Sequence, residues 1–260
     1  MDRKEKIVVV LSIVATAAAA LLHYAHANQV LAFVITAAAL ALLAMIVGDA
    51  TEQLGSRMGP GATGILQSAL GNLPELFVCI FALRAGLSMV VQAALIGSIL
   101  GNSVLVLGLA LLFGGLKNGT QRFNSEPPKM IATLMMLATA ALVVPTLAQQ
   151  LHTPAESHIN SLDVFLAVVL LVLMAASIYF GVKGDPSVVA PSEHKGDAAW
   201  PLSLTILMLG ASGLAAAFVS DWFVDALQPA MAALGISEAF AGLVVVAVAG
   251  NAIENLIGIQ

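Results

Sequence analysis

Charge is scarce in this chain. Of its 260 residues only 10 are Lys or Arg and 15 are Asp or Glu, while 60% are apolar and the mean hydropathy is +0.98. Soluble domains carry about 25% charged residues, so a soluble fold is excluded and no nucleic-acid partner is expected. The single cysteine, Cys79, rules out an internal disulfide framework and any multi-cysteine metal site. Strand-type alternation is missing, which removes a β-barrel from consideration. The five histidines (His23, His26, His152, His158 and His194) fall in loops or at the ends of apolar runs. Intramembrane hydrolases need a Ser/His, paired Asp or His/Glu metal constellation, so an enzyme is not expected.

What the chain does have is long apolar runs. A spanning helix needs about 20 mainly apolar residues, and the stretches 7–22, 30–48, 61–83, 88–113, 129–149, 162–182, 200–220 and 238–260 meet or approach that length. The expected fold is all-α, a polytopic transmembrane helix bundle. The first run follows the basic start Asp2-Arg3-Lys4-Glu5-Lys6, and Ala25-His26-Ala27 has the small-x-small form of a signal-peptide cleavage site. A retained first helix is the expectation, because the chain continues directly into further spans. Lys and Arg collect on the cytoplasmic side of membrane proteins. With the N-terminus inside, the inner loops hold Arg3, Lys4, Lys6, Arg57, Lys117, Arg122, Lys129, Lys183 and Lys195, and the outer loops hold only Arg84. The outer loop expected at 221–237 carries Asp221 and Asp225 and no basic residue.

Two of the few charges stand inside apolar runs, in a phrase that occurs twice: Gly71-Asn72-Leu73-Pro74-Glu75 and Gly250-Asn251-Ala252-Ile253-Glu254. An ionised carboxylate in hydrocarbon costs at least ~2.5–3.5 kcal/mol, so such residues usually mark an ion or substrate path. The first phrase lies on the third span and the second on the eighth, so an odd number of spans separates them and the repeat is inverted. Inverted-topology repeats with a midplane site are a recurrent architecture of secondary transporters. At helical pitch Asn72 and Glu75 share a face, as do Asn251 and Glu254. Pro74 removes one backbone N–H, and Gly71 and Gly250 permit local unwinding that turns carbonyls toward a cavity. Carboxylates, amides and carbonyls form an all-oxygen set suited to hard cations; Ca²⁺ takes six to eight oxygens at roughly 2.3–2.6 Å in tolerant geometry. Two carboxylates balance one divalent charge, or two protons once the ion has left.

On the fourth span, Gly97 and Gly101 form a small-xxx-small pair that lets helices approach closely. Ser98 and Asn102 share a face and are secondary cation-site candidates. Asp49 and Glu52 end the second span as a solvated cap, with Glu52 kept as a further secondary candidate at an ion entrance. Cys79, one turn after Glu75, reads as a small apolar filler.

With these residues in hand, the chain resembles the cation/proton exchanger (Ca²⁺/H⁺ antiporter) family of the calcium/cation antiporter superfamily. The resemblance runs from Ala50-Thr51-Glu52 through Gly71–Glu75 to Gly97-Ser98, Asn102, Leu107-Gly108 and Gly114-Gly115, and resumes at Gly250-Asn251-Ala252-Ile253-Glu254-Asn255. It implies that Glu75 and Glu254 bind the cation and exchange it for protons, with Asn72 and Asn251 as supporting ligands. Sodium-coupled relatives typically carry a Ser/Thr-rich first motif, and Gly71-Asn72 in that place favours protons as the counter-ion. The chain stops at Gln260, within the second signature, so the second repeat is expected to be incomplete and unable to complete a transport cycle.

The reading that follows is a Ca²⁺/H⁺ antiporter working by alternating access, with Ca²⁺ and H⁺ as substrates, the lipid bilayer as surroundings and no cofactor. The rivals are Na⁺-coupled or monovalent cation exchange and a passive cation channel. The expected organisation is a leader with the first helix (1–29), a first five-helix repeat (30–183), a cytoplasmic linker (184–199) and an incomplete second repeat (200–260). A bacterial inner membrane with a cytoplasmic N-terminus fits the charge bias.

Overall fold

The computed structural model describes residues 1–25, 28–58, 66, 69–120, 126–182 and 199–251. The linker expected at 184–199 therefore lies outside the described residues except for Ala199, and Glu254 lies outside them too. The described chain is helical: α1 (Arg3–Tyr24), α2 (Gln29–Gly55), α3 (Leu73–Arg84), α4 (Ser88–Leu100), a π-helical segment (Gly101–Val106) running into α5 (Leu107–Asn118), α6 (Glu126–Gln150), a 3₁₀ turn (Pro154–His158), α7 (Ile159–Val182), α8 (Leu202–Leu234), α9 (Glu238–Phe240), a second π-helical segment (Ala241–Val246) and α10 (Ala247–Gly250).

Among the described residues six stretches are long and apolar enough to cross a membrane: Arg3–Tyr24, Gln29–Gly55, Ser88–Asn118, Ala132–Gln150, Pro154–Tyr179 and Leu202–Leu234. Of the spans expected from sequence, those at 61–83 and 238–260 are only partly described, from Leu73 onward and up to Gly250 as helix. Large apolar side chains such as Ile13, Leu21, Val104, Phe165, Leu171 and Phe218 stand on the outer surface. Exposed apolar area on this scale suits lipid and not water, and the chain is an integral membrane protein. The region 221–237, expected as a loop, is instead helix as far as Leu234. Asp221 and Asp225 are one turn apart on an exposed stripe, while Phe223, Val224, Ala226 and Leu227 between and beside them are buried. Two acids on one face do not interrupt an amphipathic helix.

The chain divides into two compact units. In the smaller, α6 and α7 pack against each other through the turn at Pro154–His158. The larger contains α1–α5 and α8–α10 and is built on the pair α2 and α8. These run antiparallel: Phe33, early in α2, stacks on Phe223, late in α8, with ring centroids 5.3 Å apart, whereas Gln53 at the end of α2 meets Trp200 just before α8. Small residues on the buried face of α8, among them Ser212, Gly213, Ala216 and Ser220, let the helices approach closely.

Helix α1 begins with a capping box in which Asp2 and Glu5 satisfy each other's end of the first turn. Glu5 also accepts a hydrogen bond from the Trp200 indole at 3.0 Å. Trp200, 2% exposed, donates its backbone N–H to Gln53 Oε1 at 3.1 Å, and its carbonyl accepts from the Arg57 guanidinium. The indole of this buried aromatic thus ties α1 and its two backbone groups tie the end of α2, which fixes both to the start of α8. At the other end of α1, His23 stacks on Trp222 of α8.

A second close crossing joins α4 to the π segment at Ala241–Val246. A Cβ added at Gly97 would strike the Leu243 carbonyl and lie 2.8 Å from Ala247 Cβ, and one added at Gly242 would strike the Val90 carbonyl and lie 2.8 Å from Ala93 Cβ. Gly101, expected to share this role, has nothing among the described residues within 4 Å of such a Cβ; it opens the π turn instead. Gly97→Ala and Gly242→Ala are each expected to destabilise by about 1–3 kcal/mol, the usual cost of overpacking, whereas Gly101→Ala is tolerated. Thermal unfolding of the purified variants in detergent checks the contrast.

Candidate cation site

Glu75 owes its position to a broken helix. Residues 69 and 70 are helical, Gly71 and Asn72 form a turn, and α3 starts afresh at Leu73. Asn72 is its N-cap, in the bridge region at φ −89° and ψ 11°. Pro74 therefore falls in the first turn of a new helix, where its missing N–H leaves no bond unmade. The break precedes Asn72, whose carbonyl accepts from the Leu76 N–H at 3.0 Å, so Asn72 and Glu75 belong to the same first turn of α3. The second motif is built alike up to the edge of the described residues: α10 ends at Gly250, and Asn251 follows at φ −94° and ψ 24°. The matching dihedrals show both motifs turning out of helix at the same Asn.

Four of the residues singled out from sequence meet here. Ser98 Oγ, on α4, donates to Glu75 Oε1 at 2.6 Å. The Asn251 amide Nδ2 donates to the same Oε1 at 2.7 Å and also lies 2.8 Å from Ser98 Oγ. Asn102, in the first π segment, donates from Nδ2 to Asn251 Oδ1 at 3.3 Å. The first motif's acid is thus held by the second motif's amide, with α4 and its π continuation contributing from the side. π turns are frequent at functional sites because the extra residue re-aims the side chains around it. Asn251 is buried, Glu75 and Ser98 are half-buried and Asn102 is exposed.

Asn72 stands exposed at the start of α3. Glu52 is not brought to this cluster. The α2 residue beside Glu75 is Leu40, and Glu52 is twelve residues further on, roughly 18 Å along the helix at 1.5 Å per residue. It sits with Asp49 near the Trp200 end of α2, within electrostatic reach of it. Both acids are half-buried within α2, which continues to Gly55, so they do not form the solvated cap expected from sequence.

Sequence reasoning missed two things. Gly250 was read as a point of unwinding, yet its first effect is steric. A Cβ there would strike Glu75 Cγ and stand 2.9 Å from both Cδ and Oε1. The glycine of one motif makes room for the acid of the other. The walls around Glu75 were also missed: Leu40, Val78, Phe223 and Val246 close a cavity of about 10 Å³ beside it, which is room for one water at most. Periodicity marks all four as apolar and does not tell core from site wall.

Comparison with known proteins adds the following. A family profile described as sodium/calcium exchanger protein matches residues 28–183. A Ca²⁺/H⁺ antiporter of Aphanothece halophytica is 31% identical over 257 residues, covering 90% of this chain and 67% of that protein. The Ca²⁺/H⁺ antiporter ChaA of Bacillus subtilis (strain 168) is 31% identical over 88% of this chain and 67% of its own length. Among solved structures, native YfkE superposes with a TM-score of 0.77 at 26% identity, covering 97% of this chain and 72% of that one. The H⁺/Ca²⁺ exchanger CAX superposes at 0.70 with 19% identity, a likeness of fold.

The contact between the motifs is testable without any transport measurement. Gly250→Ala is expected to lower stability by about 1–3 kcal/mol, because its methyl and Glu75 Cγ claim the same space. Adding Glu75→Ala should recover most of that loss. A coupling of about 0.5–3 kcal/mol in the double-mutant cycle of detergent melting curves is the expected result.

Proposed function

Because the chain belongs to the sodium/calcium exchanger protein family, we propose that it is a secondary antiporter exchanging Ca²⁺ for H⁺ across the membrane by alternating access. The observation that carries the reading is the convergence on Glu75, a carboxylate within an apolar bundle that is reached by side chains from two other elements. The Ca²⁺/H⁺ antiporters among the relatives support Ca²⁺ and protons as the two substrates.

The proposed chemistry needs only the chain's own oxygens. Glu75 and Glu254 are the exchanging carboxylates and together neutralise one divalent cation. When the cation leaves, the same two groups take up protons, so the site does not expose bare negative charge to hydrocarbon. Asn72 and Asn251 support as oxygen ligands, and Ser98 and Asn102 stand behind them. A hard cation with tolerant coordination such as Ca²⁺ fits an irregular set of carboxylate, amide and hydroxyl oxygens better than Mg²⁺, which demands a stricter octahedron. The antiparallel pair α2 and α8 suits alternating access, since inverted repeats can exchange conformations around a fixed central site. The bias of Lys and Arg supports a cytoplasmic N-terminus, and the bacterial relatives a place in the cytoplasmic membrane.

The test is Ca²⁺ uptake into inverted membrane vesicles with an acidic interior. Uptake is expected in the wild type, abolished by a protonophore, and reduced to background by Glu75→Gln and by Glu254→Gln. Uptake that followed a sodium gradient instead would change the counter-ion. Uptake that survived both substitutions would overturn the site.

A further inference from the structure

The Asn251 carboxamide faces the wrong way for a ligand. Its Nδ2 has three oxygens around it: Glu75 Oε1 at 2.7 Å, Ser98 Oγ at 2.8 Å and the Ala247 carbonyl at 2.9 Å. A backbone carbonyl only accepts hydrogen bonds, so the Ala247 contact fixes which end of the carboxamide is nitrogen. Oδ1 is consequently turned to the Asn102 amide, 3.3 Å away. A cation beside Glu75 would need oxygens at roughly 2.3–2.6 Å, and an NH₂ group there would repel it. The donor orientation and the ligand orientation of Asn251 exclude each other.

We infer that Asn251 is a two-position switch. In one position its NH₂ group lies on Glu75 Oε1 as a stand-in for the cation, while the proton that the acid takes up sits on its other oxygen. In the other, the carboxamide has turned, releasing Glu75 and Ser98 and presenting Oδ1 to the incoming ion. This deepens the function proposed above and rests on its reading of Glu75 as a cation carboxylate.

Two features of the surroundings bear on the turn. Asn251 is the first residue beyond α10, and its side chain is tied to that helix through the Ala247 carbonyl one turn back. It also borders an apolar cavity of about 600 Å³ between α4–α5 and the segment from Leu243 to Val248, which gives a turning carboxamide room. The donors are arranged for replacement. Ser98 Oγ keeps its own bond to Oε1, so Glu75 is not left bare while Asn251 moves. Asn102 holds Oδ1 by a longer bond than those on the nitrogen side, the one most readily given up to a cation.

The amide protons of Asn251 report the switch directly. The protein is labelled with ¹⁵N-asparagine in detergent, and the Asn251 side-chain NH₂ pair is assigned by its loss in Asn251→Ser, or in Asn251→Asp if the first variant does not fold. Without Ca²⁺ one of the two protons is expected downfield of the other, as for a donor to a carboxyl oxygen. Saturating Ca²⁺ should move it upfield to the ordinary range. The shift should be absent in Glu75→Gln, and in a Ser98→Ala protein it should persist. An NH₂ pair that stays put while Ca²⁺ binds in a Glu75-dependent manner would overturn the switch and leave the proposed function standing. Ca²⁺ binding that ignores Glu75→Gln would overturn the proposed function itself, and the switch with it.

Discussion

A carboxylate inside an apolar bundle is the constraint on which the rest of this structure turns. Glu75 cannot be solvated by the leucines and valines around it, so protein dipoles have to do that work. Ser98 and Asn251 supply them on a single oxygen, from two different elements. Each of those elements has to come unusually close, and the local features of the fold follow from this. The helix breaks at Gly71–Asn72 and at Gly250–Asn251 put polar groups at helix ends, where they are free to turn inward. The absence of a side chain at Gly250 leaves the volume that Glu75 fills.

The scaffold of the larger unit answers a different demand, that of holding its helices together without a hydrophobic effect between lipid and core. Close van der Waals contact replaces it. Gly97 and Gly242 provide it at one crossing, and the small-residue face of α8 provides it along α2. Trp200 adds the polar counterpart, binding α1, α2 and the entry to α8 through its three hydrogen-bonding groups.

Much of this was legible in the sequence because the membrane imposes strong rules. The apolar runs give the helices, the repeated Gly-Asn phrase gives two matching breaks, and Ser98 and Asn102 are conspicuous as polar residues in mid-span. Where the reading went astray, a local pattern had more than one physical outcome. Asp221 and Asp225 look like a loop until α8 is seen to carry them on one exposed stripe. Gly97 and Gly101 form one small-xxx-small pair in sequence, yet only Gly97 faces a partner. Glu52 belongs to the motif-bearing stretch and sits far along α2 from Glu75.

The sequence by itself determined that the chain spans a membrane, that a Gly-Asn-x-x-Glu phrase occurs twice and that both copies stand in apolar runs. These depend on composition and on helical period, which are properties of a residue and its near neighbours. Only the tertiary structure decided that the second motif's Asn251 serves the first motif's Glu75, that Gly250 is shaped around that side chain, and that the amide presents nitrogen and not oxygen. Those are facts about atoms remote along the chain and within about 3 Å in space, where hydrogen-bond direction and steric overlap are set by how helices cross.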